Sequence, residues 1–347
     1  PMAALRAAQG QTAPWIVEFD GMILEIGNEA IFNNAGGFWS TVNATFIDSV
    51  LGGLGTGATY GVHVQAIIEE MKTSPHWAAF RAKTQILLSG WGSPVSGIAL
   101  MDEVLDACTD LDGIGIAGYN GGWESTDTLP TGTGESFSDI LLASQDREYW
   151  SQFLNVAESR GKFMFAYESG PGYQINGFGG VTVSAEGRVT QECVMKSRAS
   201  GTATVGAFCQ RLAAGFRLDS FYAMEPGSQY KSHARLGEGG TAPAYGLLKM
   251  IWDTVGPARC EELSLTSAAP EDGSGNVLVR AYRLKSIANP ATQLIVVENR
   301  DIDVSLLDPS DPDYSVTPSG RHLVTVRTNI GSVSYTHLRA HETEATI

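Results

Sequence analysis

The chain has 347 residues, 43% of them hydrophobic, with 23 Lys+Arg against 38 Asp+Glu for a formal net charge of −15. That apolar content supports a sizeable core and excludes a disordered chain, and no run approaches the roughly 18 uninterrupted apolar residues of a membrane span. The acidity argues against a nucleic-acid partner, because phosphate affinity comes from clustered Lys and Arg.

Short apolar runs alternate with longer stretches at helical spacing up to residue 258. Residues 15–19 are joined to the next run by only Asp20-Gly21 and read as a loop or pre-strand segment. Strands are predicted at 22–26, 84–88, 113–117, 163–167 and 216–222. A helix over 138–159 carries Ile140, Leu141, Trp150, Phe153, Leu154 and Ala157 and runs to Gly161 as its C-cap. A second helix over 244–255 places Tyr245, Leu248, Trp252 and Val255 on one face and stops at Gly256-Pro257. Strands separated by helical crossovers imply βαβ units and a parallel sheet buried on both faces.

Beyond Pro257 the texture changes. Strand-like runs at 261–266, 277–284, 293–299, 303–307 and 322–327 are linked by turn residues such as Glu271-Asp272-Gly273-Ser274-Gly275. Close spacing without helices predicts an antiparallel β-sandwich. The chain therefore divides into an α/β region over 1–258 and a sandwich over 259–332. Residues 333–347 form a tail in which Val333-Ser334-Tyr335-Thr336-His337-Leu338-Arg339-Ala340-His341-Glu342-Thr343 resembles a translated sequencing adapter, as found at the edge of a metagenomic fragment. His337 and His341 only imitate a metal-binding helix, and the tail is set aside.

Other signatures fail on context. Cys108, Cys193, Cys209 and Cys260 lack CxxC spacing, so neither a zinc knuckle nor a redox motif is supported, and one or two disulfides stay open. Gly53-Leu54-Gly55-Thr56-Gly57-Ala58 fits a dinucleotide fingerprint formally, but helical sequence precedes it where a strand is required.

In parallel α/β folds the chemistry collects at the carboxyl ends of the strands. The first strand leads into Gly27-Asn28-Glu29 and the second into Ser89-Gly90-Trp91. The third leads into Gly118-Tyr119-Asn120 and then Trp123, the fourth into Tyr167-Glu168-Ser169-Gly170, and the last through Tyr222 towards Glu225. Carboxylates, an amide, tyrosines and tryptophans, with no phosphate cradle and no metal cluster, suit sugar chemistry without a cofactor. A retaining glycosidase needs one carboxyl group as acid/base and one as nucleophile, about 5–5.5 Å apart. Glu29 and Glu168 are the candidates. Asn28 can hydrogen-bond a sugar 2-hydroxyl, and Tyr119 can donate to the nucleophile, favouring its charged form. Trp91 and Trp123 offer flat apolar faces for sugar rings, and Tyr222 and Glu225 complete the binding set. Glu25, on the same strand face as Glu29, reads as a structural carboxylate.

Leu24-Glu25-Ile26-Gly27-Asn28-Glu29 resembles the fourth-strand motif of the large clan of retaining glycosidases built on (β/α)8 barrels. In that clan the Asn-Glu pair carries the acid/base, and a glutamate ending the seventh strand is the nucleophile. Tyr167-Glu168-Ser169-Gly170-Pro171-Gly172-Tyr173 matches the second position, and Tyr119 matches a tyrosine after the sixth strand that contacts the nucleophile. The resemblance implies a TIM-type barrel represented by about strands 4–8, hence truncated at its N-terminal side, followed by a β-sandwich. It implies cleavage of O-glycosidic bonds of a poly- or oligosaccharide through a covalent glycosyl-enzyme, and the acidity and the 40 glycines of the chain fit an extracellular or periplasmic setting. The alternative from another class is a non-catalytic carbohydrate-binding barrel, which would have no need of both carboxylates.

Overall fold

The structure, a computed structural model, describes residues 20–27, 41–90, 97–120, 123–124, 147–171, 174–175, 198–221, 243–265, 271 and 277–300. The described residues group into two compact units. The first lies within Pro1–Ala117 and Glu148–Tyr167, the second within Gly118–Arg147 and Glu168–Ile347.

Within the first unit, β1 (Met22–Ile26) is followed by α1 (Thr41–Val50), α2 (Thr56–Lys72), α3 (Trp77–Arg81), β2 (Thr84–Ser89) and α4 (Gly97–Ala107). β3 (Gly113–Asn120) comes next, and after it α5 (Arg147–Ser159) and β5 (Phe163–Pro171). Strand β1 pairs with β2 in parallel, setting Ile26 beside Leu88, and β2 pairs with β3 in parallel, setting Leu87 beside Gly113. Ile86, Leu87, Leu88, Ile114, Ile116, Met164, Phe165 and Ala166 are all buried. These near-continuous apolar runs are what a parallel sheet covered on both faces requires.

The helices obey their local chemistry. In α5 Phe153 and Ala157 are buried while Gln152, Asn155 and Glu158 are exposed, a four-residue spacing of the apolar face. The helix ends as its sequence predicts, with Gly161 at φ 64° and the Lys162 amide returning to the Ala157 carbonyl at 2.8 Å. At the start of α2 the Asp48 carboxylate accepts from the Gly55 amide at 2.9 Å and the Thr59 hydroxyl at 2.6 Å. Helix α1 precedes Gly53–Ala58, so no strand feeds that glycine-rich stretch and the dinucleotide reading is excluded. Close packing of α2 on α4 depends on Gly57 and Gly61, whose added Cβ atoms would lie 2.6 Å from Glu103 and 2.7 Å from Ala107.

The second unit holds the carboxyl ends of β3 and β5, then β4 (Trp123–Glu124), β6 (Gln174–Ile175), α6 (Arg198–Ala214), β7 (Leu218–Phe221) and α7 (Pro243–Val255). It closes with β8 (Ala258–Leu263), β9 (Val279–Ser286) and β10 (Gln293–Asn299), an antiparallel sheet in the order β10-β9-β8. Helices α6 and α7 pack on this sheet through Val205, Cys209, Ile251, Val255, Tyr282, Leu284, Leu294 and Val296. The parallel sheet runs in the order β1-β2-β3-β5-β7, with a helix in each crossover.

Several boundaries differ from the sequence reading. The last parallel strand begins at Leu218 because the Phe216 amide is taken by the Arg211 carbonyl at 3.0 Å in closing α6. Strand β8 begins at Ala258, directly behind the turn at Gly256 (φ 58°) that ends α7, so it lies earlier than 261–266. Strand β9 is displaced to Val279–Ser286 by its register with β8, in which Ala258 faces Ser286. Trp252 is 62% exposed, because α7 turns Ala244, Ile251 and Val255 inward. Cys108, Cys209 and Cys260 are free thiols. The predicted strands at 303–307 and 322–327, the segments 138–146 and 15–19, Cys193 and the tail 333–347 lie outside the described residues.

Candidate active site

The geometry of the strand ends begins with two glycines. A Cβ on Gly113 would meet the Phe163 ring at 2.6 Å, and one on Gly115 would meet the Tyr167 ring at 2.8 Å. Glycine here lets the aromatic side chains of β5 approach β3 closely. Tyr167 reaches past Gly115 and donates its hydroxyl to the Gly90 carbonyl, 2.9 Å away, at the end of β2.

Within the second unit, at the carboxyl ends of the same two strands, the Tyr119 hydroxyl donates to Oε1 of Glu168. Both side chains are half-buried. A phenol donating to a carboxylate makes one of the stronger classes of hydrogen bond, because the acceptor carries charge. It holds the carboxylate in one orientation through Oε1.

On the far side of Glu168 lies a set of groups that the sequence reading missed. Ser169 follows Glu168 in the strand, and consecutive strand residues project to opposite faces. Its hydroxyl donates to Oδ1 of Asp219 on β7 and lies 3.0 Å from the Ser220 carbonyl. Asp219 is paired with Arg211 of α6, at 2.7 Å from Nε and 2.5 Å from Nη2, and both side chains are fully buried. Nη1 of Arg211 donates to the Gly118 carbonyl at 2.8 Å. Burial pushes the Asp219 carboxyl up, against the opposing pull of Arg211 and Ser169. The signal for this network was Arg211, the one charged residue in the mostly small and apolar stretch Gly206-Ala207-Phe208-Cys209-Gln210-Arg211-Leu212-Ala213-Ala214, eight positions before Asp219.

Of the predicted site residues, the structure brings Tyr119 and Glu168 together. Trp123 falls in β4, paired in parallel with Gln174 of β6, and its side chain lies outside the described set. Asn28, Glu29, Trp91, Tyr222 and Glu225 lie outside the described residues. What is described beside Asn28 and Glu29 is the end of β1, where the buried Tyr60 of α2 donates its hydroxyl to the Ile26 carbonyl and Gly27 takes φ 96°. Glu25 is half-buried in β1.

No protein-family profile and no curated protein sequence matches the chain. Among solved structures, the chain is similar to a family 51 α-L-arabinofuranosidase from Bifidobacterium longum, with a TM-score of 0.54 and 15% identity over 87% of this chain and 61% of that one. It is also similar to an arabinofuranosidase (TM-score 0.48, 15% identity, 80% of this chain and 52% of that one) and to an α-L-arabinofuranosidase from Thermotoga maritima (TM-score 0.43, 14% identity, 83% and 63%). The first of these carries a likeness of fold: the parallel strands and their crossover helices are arranged as in part of that arabinofuranosidase. The chain spans about three fifths of that protein's length, 61%.

Proposed function

We propose that this chain is a retaining glycoside hydrolase in which Glu168 is the nucleophile, Tyr119 its hydrogen-bonding partner and Glu29 the acid/base. The observation that carries the reading is the Tyr119 hydroxyl seated on the Glu168 carboxylate at the carboxyl ends of β3 and β5. The likeness in fold to a barrel glycosidase adds support.

In the first step a Glu168 oxygen attacks the anomeric carbon while Glu29 gives its proton to the departing glycosidic oxygen. The glycosyl-enzyme ester forms and the glycosidic bond breaks. In the second step Glu29 takes a proton from water, whose oxygen attacks the same carbon and returns Glu168 as a carboxylate. Tyr119 orients the attacking oxygen throughout. Asn28 binds the sugar 2-hydroxyl, and Trp91, Trp123, Tyr222 and Glu225 line the path of a poly- or oligosaccharide. The acidic chain acts outside the cytoplasm on such material.

An aryl α-L-arabinofuranoside is the first substrate to try, since the fold neighbour is an arabinofuranosidase. A 2-fluoro glycoside with an activated leaving group should label Glu168, identified by peptide mass spectrometry. Labelling at another residue, or no turnover of any aryl glycoside, overturns the reading.

A further inference from the structure

We infer that Arg211 is a positioning residue for the Tyr119–Glu168 pair, holding the ends of β3 and β5 in place from the opposite face of the sheet. The inference rests on the proposed function and extends it to a residue remote from any sugar.

The interactions close a ring. Arg211 bonds the carbonyl of Gly118, the residue before Tyr119. It also pairs with Asp219, which accepts from Ser169, the residue after Glu168. Tyr119 and Glu168 complete the circuit on the other face. A shift of either strand end relative to the other therefore strains a bond on both faces at once. Every side chain on the Arg211 side is buried: Arg211 and Ser169 at 0% exposure, and the Asp219 side chain at 0%.

Stability alone is a poor reason for such a group. Burying an ion pair costs desolvation that its attraction often fails to exceed, and apolar side chains of the same volume would hold α6 at least as well. What apolar packing lacks is direction. The planar guanidinium presents its donors in a fixed fork, here engaging a β3 carbonyl and a β7 carboxylate together, and a lysine ammonium cannot reproduce that geometry. Catalytic groups need placement to within about 0.5 Å, which locked supporting residues supply.

The test uses the 347-residue chain with an aryl glycoside it turns over. Ser169→Ala leaves the Arg211–Asp219 pair intact and should lower kcat roughly tenfold with KM within about twofold, as expected of a small misplacement. Combined with Tyr119→Phe it should add no further loss, because the bond it helps to align is already gone. Arg211→Lys, which keeps the charge and loses the fork, should lower kcat by about a hundredfold with KM unchanged. If Arg211→Lys does not fold, the Ser169 and Tyr119 cycle decides. Independent, multiplying effects of Ser169→Ala and Tyr119→Phe, or a parental kcat in Ser169→Ala, overturn the inference. Glu168→Ala separates it from the reading beneath. Loss of turnover with rescue by azide upholds the nucleophile whatever the cycle shows, and parental turnover in Glu168→Ala overturns both.

Discussion

The Tyr119 hydroxyl donates to the Glu168 carboxylate across 49 residues of sequence, from the end of one strand to the end of another. Tyr119→Phe removes that donor and little else. A hydrogen bond to a charged group contributes about 1.5–3 kcal/mol, so kcat should fall roughly ten- to a hundredfold. Steady-state kinetics on an aryl glycoside measures it, and a thermal melt should show the variant folded. An unchanged kcat would mean that the bond has no part in catalysis.

Gly206 of α6 lies against the buried pair of Glu298 and Arg300, whose Nη2 sits 2.8 and 2.9 Å from the two carboxylate oxygens. An added Cβ would run into the Glu298 carboxylate and come within 2.6 Å of Arg300. Gly→Ala in a helix interior ordinarily stabilises by about 1 kcal/mol. Here the sign should invert, because overpacking costs about 1–3 kcal/mol and the displaced carboxylate also loses its pairing. Urea unfolding of Gly206→Ala reads the sign directly.

Bonds from the Thr59 hydroxyl and then the Gly55 amide hold the Asp48 carboxyl below its ordinary value of 3.8. As pH falls through that value, the unfolded chain takes up a proton that the folded chain still excludes, so stability falls with pH. The contribution is fully present above the ordinary value and is lost on acidification through the lowered one. Asp48→Asn should therefore narrow the difference between urea midpoints at neutral and acid pH. An unchanged difference would show that these bonds do not survive in solution.

Cys108 and Cys209 are buried, and both thiols are pushed up: Cys108 by burial, Cys209 by its contact with Cys260 together with burial. The reactive form is the thiolate, so both should resist iodoacetamide in the native protein and react once it is unfolded in urea. Cys260 is half-exposed, its thiol 3.5 Å from the Cys209 carbonyl, and should be alkylated before them. Peptide mapping after native and denatured labelling tests the order.

Much of the fold was legible because its signals are local. Apolar runs such as Ile86-Leu87-Leu88 mark buried strands, and Gly161, Gly215 and Gly256 mark helix ends by taking a positive φ that other residues avoid. Strand starts were less legible. Whether Phe216 opens a strand depends on which carbonyl takes its amide, and whether Trp252 faces inward depends on which side of α7 meets the sheet. The candidate site divides in the same way. Glu168 and Tyr119 stand out as polar residues ending apolar strands, whereas Ser169 and Asp219 look like ordinary turn and strand residues.

The sequence by itself determined the alternation of strands and helices, the change to antiparallel strands after Pro257 and the placing of Glu168 towards a strand end, since each depends on residue type and short spacing. The tertiary structure alone decided that a guanidinium on α6 reaches Gly118, 93 residues earlier, and Asp219, eight residues later. Side-chain hydrogen bonds require atoms within about 3 Å, and which atoms come that close is set by the packing of helix on sheet.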